Sequence, residues 1–108
     1  MAMRNRAMRL MVFFDLPTGT KVERRNYAIF RKFLIKHGFS MLQFSVYERI
    51  TRNFDECEKY IGMIERNKPP KGDVRCLKIT EKQYEGIKLI IGSNEGKNDY
   101  SDEDLIEI

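Results

Sequence analysis

The sequence predicts an α+β fold, and three observations carry that prediction. The run "MRLMVFFD" (residues 8–15) is apolar at consecutive rather than alternating positions, as in a strand covered on both faces. Two later segments repeat apolar residues with the 3.6-residue period of an amphipathic helix. The segments around those helices are rich in aromatic and β-branched residues, which suit a pleated, half-buried surface. With 108 residues, the chain suits one domain with one core.

In the first strand Leu10, Val12 and Phe14 point one way, and Met11, Phe13 and Asp15 the other. Pro17 stops it and "TGT" turns the chain. Thr20 and Glu23 have the spacing of a capping box. A helix follows to about His37, with Gly38 suited to the C′ position. At 100° per residue, Val22, Tyr27, Ile29, Phe30, Phe33 and Leu34 fill one broad arc. Lys21, Arg24, Arg25, Arg31, Lys32 and Lys36 fill the opposite arc.

"FSMLQFSVYERI" (39–50) is too long for one ordinary strand and reads as two, turning near Phe44–Ser45. Residues 53–67 read as the second helix, with Phe54, Cys57, Ile61 and Ile64 as its buried stripe. Asp55, Glu56 and Glu58 suit its positive amino end. "KPPKGD" is a loop, residues 74–80 a strand, "EKQYEG" a helical turn and "IKLIIG" (87–92) a final short strand. The order is β-α-β-β-α-β with an additional C-terminal strand, the ferredoxin-like architecture. It forms a single domain over residues 1–92, followed by an acidic tail over 93–108 that is expected to be flexible. Two helices cover one face of such a sheet, yet the first strand is apolar on both. A twofold homodimer packed through the sheets resolves that conflict, and "IKLIIG" is placed to extend a sheet edge, its own or the partner's.

No apolar run approaches the ~20 residues of a membrane span. The start, "MAMRNRAMRL", lacks a signal-peptide core, so a cytoplasmic location is the expectation. Two cysteines and one histidine provide neither a disulfide framework nor a zinc cage. Charge is strongly asymmetric. Residues 1–52 carry 11 Lys/Arg against 3 Asp/Glu, a net of +8, and residues 53–108 carry 9 against 13, a net of −4. An anionic partner at the front half and a protein partner at the tail fit that division, as does a merely solvated basic face.

The strand ending "FFDLPT", the Arg-rich helix "ERRNYAIFRKFLIKHGF", and "MLQFSVYERI" followed by "TEKQY" together resemble the CRISPR-associated Cas-two family, especially members from type II systems. The resemblance covers residues 8–92. It implies a homodimer of ferredoxin-like protomers, seated between dimers of the Cas-one integrase and holding double-stranded DNA across a basic surface during spacer acquisition. It also implies, for some members, a magnesium-dependent nuclease that uses the aspartate closing the first strand, here Asp15.

Asp15 is therefore the candidate catalytic residue and metal ligand. Two copies brought together by a twofold axis would share one Mg²⁺, an ion that prefers oxygen ligands and retains water. The competing reading is a turn residue closing "DLPT". No second acid stands near it in sequence, and His37 lies at the far end of the first helix, ~25 Å away. Any endonuclease activity is accordingly expected to be weak and dispensable for adaptation. The candidate nucleic-acid contacts are Arg24, Arg25, Arg31 and Lys32, with Arg9, Arg4 and Arg6 as accessories, because forked guanidinium donors hold phosphates without reading bases. Ser45 has no neighbouring base, and Phe39, Phe44 and Tyr47 are read as core or dimer contacts rather than base-stacking rings. "GSNEGKN" lacks P-loop spacing. A nuclease toxin of the VapD type is the remaining alternative. The tail, with Leu105, Ile106 and Ile108 among its acids, is a candidate docking segment for the integrase.

Overall fold

A computed structural model describes residues 6–92 of the chain. Strand β1 (Met8–Asp15) leads into helix α1 (Lys21–Lys36), and the hairpin β2 (Ser40–Gln43) and β3 (Val46–Thr51) follows. Helix α2 (Phe54–Arg66), strand β4 (Asp73–Thr80) and the short helix α3 (Glu81–Glu85) complete the order. The strands form one antiparallel sheet in the order β2-β3-β1-β4, with β1 hydrogen-bonded to β3 and β4. This is the ferredoxin-like arrangement expected from the sequence.

The helix ends form where local chemistry calls for them. The Thr20 side chain accepts from the Glu23 N–H, and the Glu23 carboxylate accepts from the Thr20 N–H, so two otherwise unsatisfied donors are bonded. At the other end His37 caps the helix and Gly38 takes φ 87°, a left-handed conformation that costs glycine little. Asn53 caps α2 by accepting from the Glu56 N–H. A second capping box, Thr80 with Gln83, starts α3 directly at the end of β4. The β2–β3 turn falls on Phe44–Ser45, with Gln43 opposite Val46 and Ser45 at φ 64°. A non-glycine residue pays for that geometry, and here the Ser45 carbonyl accepts from the Phe14 N–H, tying the turn to β1.

The core lies between one face of the sheet and the helices. Leu10, Val12 and Phe14 of β1 meet Tyr27, Phe30 and Leu34 of α1 and Cys57 and Ile64 of α2. Phe14 stands at its centre, edge-on to Phe30 with centroids 5.3 Å apart and stacked on Tyr47 at 5.6 Å. The buried arc of α1 is narrower than its periodicity suggests. Val22 and Ile29 are 67% and 55% exposed, because both project to one flank of the helix rather than onto the sheet.

The opposite face of the sheet carries Arg9, Met11, Phe13 and Asp15 of β1, flanked by Glu48 and Ile50 of β3 and Arg75, Leu77 and Ile79 of β4. Helix α3 covers part of it through Tyr84, whose ring lies under the Arg9 guanidinium at 4.0 Å. Ile50 and Leu77 stay about half exposed. The expected strand at 87–92 does not form within the single chain: these residues join no ladder, and Ile90 and Ile91 are 81% and 91% exposed. The segment lies beside the edge strand β2 without hydrogen-bonding to it as a ladder, so strand propensity alone does not make it a strand here. The tail at 93–108 lies outside the described residues, and among those described no helix is long and apolar enough to cross a membrane.

Two predictions follow from this packing. Gly72 takes φ 102° where the α2–β4 loop crosses the end of β1, and an added Cβ would meet the Asp15 carbonyl oxygen at 2.6 Å. Gly72→Ala should therefore cost about 2 kcal/mol or more in urea unfolding. Gly19→Ala meets only a carboxylate oxygen at 3.5 Å, so it should cost less than about 0.5 kcal/mol; equal losses would contradict the close-approach argument. The second concerns alkaline pH. Burial, helped by Cys57 and Glu65, pushes the Cys76 thiol up to about 11 from an ordinary value of 9.0. Above that ordinary value the unfolded chain releases a proton that the folded chain retains, so stability is full below it and falls as pH rises toward the folded value. Tm should drop between about pH 9 and about pH 11, and Cys76→Val should flatten the drop. A wild-type Tm constant across that window would contradict the burial of this thiol.

Candidate nucleic-acid interface and acidic strand end

Helix α1 builds its outer face from a simple spacing. Lys21, Arg25, Lys32 and Lys36 are separated by four, seven and four residues, so at 3.6 residues per turn they fall on one stripe. The stripe lies opposite Tyr27, Phe30 and Leu34, which are buried, so packing of the helix forces these four cations outward. All four are exposed, and none forms an ion pair among the described residues.

The other predicted contacts are placed differently. Arg24 is half-buried and donates to the Thr18 carbonyl oxygen at 3.1 Å, bracing the turn that precedes the helix. Arg31 is half-buried on the same flank, and its charge acts on Tyr27: burial raises the Tyr27 hydroxyl above its ordinary pKa, while nearby Ser45 and the Arg31 charge pull it back. Arg6 is exposed, and Arg4 lies outside the described residues.

Arg9 does not belong to the outer surface. It lies on the sheet face away from α1, where Nε and Nη2 donate to the two carboxylate oxygens of Glu81 at 2.9 and 2.7 Å and Nη1 donates to Glu48. Glu48 is only 4% exposed, and its second oxygen accepts from the Tyr84 hydroxyl at 2.8 Å. A carboxylate so far from water is tolerated because it is paired and fully hydrogen-bonded. The network fastens α3 onto the sheet and consumes the donors that phosphate contact would need. Composition counts Arg9 as a surface cation; only the tertiary partners reveal its structural use. Glu48 sits next to Arg49 in β3, so the sequence alone gives no sign that its carboxylate is buried.

Asp15 closes β1 and is exposed. Its register partner on β4 is Asp73, so the structure supplies the second carboxylate that is absent from the neighbouring sequence. Directly opposite like charges destabilise a strand pair unless solvent or a cation screens them. Arg75, opposite Phe13, shares their shallow cleft with the turn residue Ser45. Two exposed carboxylates offer hard oxygen donors, and Mg²⁺ needs few protein ligands because it keeps several waters. The donor set of Asp15 and Asp73 thus fits that ion as a partial site, while no group of three or more metal-binding side chains occurs among the described residues. His37 takes no part. It caps the carboxyl end of α1, its ring against Phe33 at 4.7 Å.

Comparison with known proteins places this geometry in a family. Residues 8–87 match the family model for CRISPR associated protein Cas2. A protein of Treponema denticola, named CRISPR-associated endoribonuclease Cas2, is 48% identical over 92% of this chain and 98% of its own length. Proteins of the same name from Acidovorax ebreus and Campylobacter jejuni are 47% and 40% identical, over 79% and 94% of this chain and 83% and 73% of their own lengths. The matched region spans every strand and helix described above, and the chain belongs to the CRISPR-associated Cas2 family.

Proposed function

We propose that this chain is a homodimeric scaffold of CRISPR adaptation, which lays duplex DNA along the outer stripe of α1 and bridges dimers of the Cas-one integrase during spacer acquisition. The observation that carries the reading is the stripe Lys21, Arg25, Lys32 and Lys36, four exposed cations on one rigid helix face. Such a face binds phosphates through charge and leaves the base edges unread, as capture of DNA of any sequence requires. The half-exposed Ile50 and Leu77 on the uncovered sheet face support a second copy as the missing cover, with the apolar residues 87–92 beside β2 as further contact. In this reading Arg25, Lys32 and their stripe neighbours hold DNA, Arg24 and Arg31 support from the flank, and Arg9 serves the fold.

The juxtaposition of Asp15 and Asp73, together with the endoribonuclease name of the relatives, favours a second reading as an endonuclease. Asp15, with Asp73, would hold a Mg²⁺ ion, which when bound supplies charge to polarise a phosphodiester. The chain's own part is to hold two carboxylates at the sheet end, fixed by the Gly72 approach and the Ser45–Phe14 bond.

Arg25→Glu combined with Lys32→Glu should weaken duplex binding by at least about tenfold at low salt and reduce spacer uptake in cells, since each lost phosphate contact removes a counterion-release contribution. Unchanged affinity would refute the α1 face. Asp15→Asn should leave duplex affinity within about twofold and spacer uptake intact, because it touches no phosphate-binding cation. Magnesium-dependent cleavage of RNA or DNA by purified protein, abolished by both Asp15→Asn and Asp73→Asn, would establish the second reading.

A further inference from the structure

A cleft of about 290 Å³ opens at the amino end of α1, between Leu16, Pro17 and Val22 on one side and Pro69 and Pro70 on the other, with Lys71 at its edge. Its volume is near the ~300 Å³ lower bound for pockets that take small molecules. Val22, 67% exposed, leaves an aliphatic surface in solvent there. The Glu23 carboxylate lines the cleft too, but it accepts from the Gly19 and Thr20 N–H groups. Against it stand Lys71 in the lining, Lys21 and Arg25 beside it on the first turns of α1, and the positive potential of the helix's amino end. A matching occupant is aliphatic with acidic neighbours.

The chain itself contains that chemistry. Residues 102–108, "DEDLIEI", set Leu105, Ile106 and Ile108 among Asp102, Glu103, Asp104 and Glu107. Neighbouring residues connect the end of the described chain with the cleft. Residues up to Gly92 lie beside Leu42 and Gln43 of β2, the next residue, Phe44, stacks on Tyr27 at 6.2 Å, and Tyr27 lines the cleft. Residues 93–108 can extend about 50 Å. Helix α1 in its entirety is only ~24 Å long.

We propose that Asp102–Ile108 docks in cis on the amino end of α1, with its aliphatic side chains in the cleft and its carboxylates toward Lys71, Lys21 and Arg25. The segment then occupies part of the stripe assigned above to DNA and competes with phosphate for the same cations. The chain regulates its own affinity: a duplex long enough to engage the whole stripe displaces the segment, and short anionic fragments do not. The competition rests on the proposed nucleic-acid face; the docking itself does not.

Two full-length variants separate docking from simple charge repulsion. Neutralising Asp102, Glu103, Asp104 and Glu107 together to their amides should tighten binding of a 30-base-pair duplex about tenfold at low salt. Leu105→Ser with Ile106→Ser keeps every charge and should still tighten it, by about threefold, because the anchor is lost. Wild-type affinity in the serine variant would overturn the proposal, whatever the amide variant does. An independent readout needs no nucleic acid. Amide NMR shifts of Val22, Asn26 and Lys71 should differ between the wild type and the serine variant, and identical shifts would overturn the docking. If no form of the chain binds duplex but those shifts differ, the docking stands and the DNA-binding reading fails.

Discussion

Strand β1 is the constraint on which the rest of the molecule depends. It occupies an interior position of the sheet, so its backbone must satisfy ladders with both β3 and β4. Its two faces must satisfy different surroundings. Leu10, Val12 and Phe14 are fixed toward the helices, and a shift of one residue would turn all three to the other side. The same alternation fixes Arg9, Met11, Phe13 and Asp15 on the far face. The core register therefore decides where the Arg9 network forms and where Asp15 meets Asp73. Burial of Phe14 against Phe30 and Tyr27 seats α1, and the seating of α1 turns its cations outward. Core packing and candidate site are consequences of one alternation.

Much of this was legible because the governing interactions are local. Thr20 and Glu23 announce a helix start by spacing alone, and Gly38 announces its end. The consecutive apolar residues of β1 mark a strand covered on both faces, and the turn at Phe44–Ser45 falls where one strand would be too long. The Thr80–Gln83 box was equally visible in principle, since it follows the same local rule. What escaped depends on partners distant in the chain. Asp73 becomes the neighbour of Asp15 only through the β1–β4 register. Arg9 counts as a surface cation until Glu48, Glu81 and Tyr84 are brought around it. Val22 and Ile29 fit an apolar arc at 100° per residue, but the sheet reaches only its centre. Residues 87–92 have the composition of a strand, yet they join neither edge of the sheet, which composition does not reveal.

The division of the cations gives the functional reading its physical content. Arg9, Arg24 and Arg49 donate to carboxylates or carbonyls inside the protomer, so their charge is engaged in holding the fold. Among the described residues, Lys21, Arg25, Lys32 and Lys36 make no such bond, and they share one stripe. A rigid helix face that sets cations in one stripe suits a polyanion of regular spacing, and contacts to phosphate alone do not tell one base from another. The acidic strand end is separate, small and shallow, formed by Asp15, Asp73 and Arg75. Scaffold and nuclease readings thus draw on different residues and can be tested independently.

The central claim is that α1 binds duplex through backbone charge alone. Its most direct test is the salt dependence of binding for two duplexes of equal length and unrelated sequence. The four stripe cations predict equal affinities and a slope of log K against log salt of about −3.6 per protomer engaged. A slope near zero, or affinities that differ about tenfold between the two sequences, would contradict it.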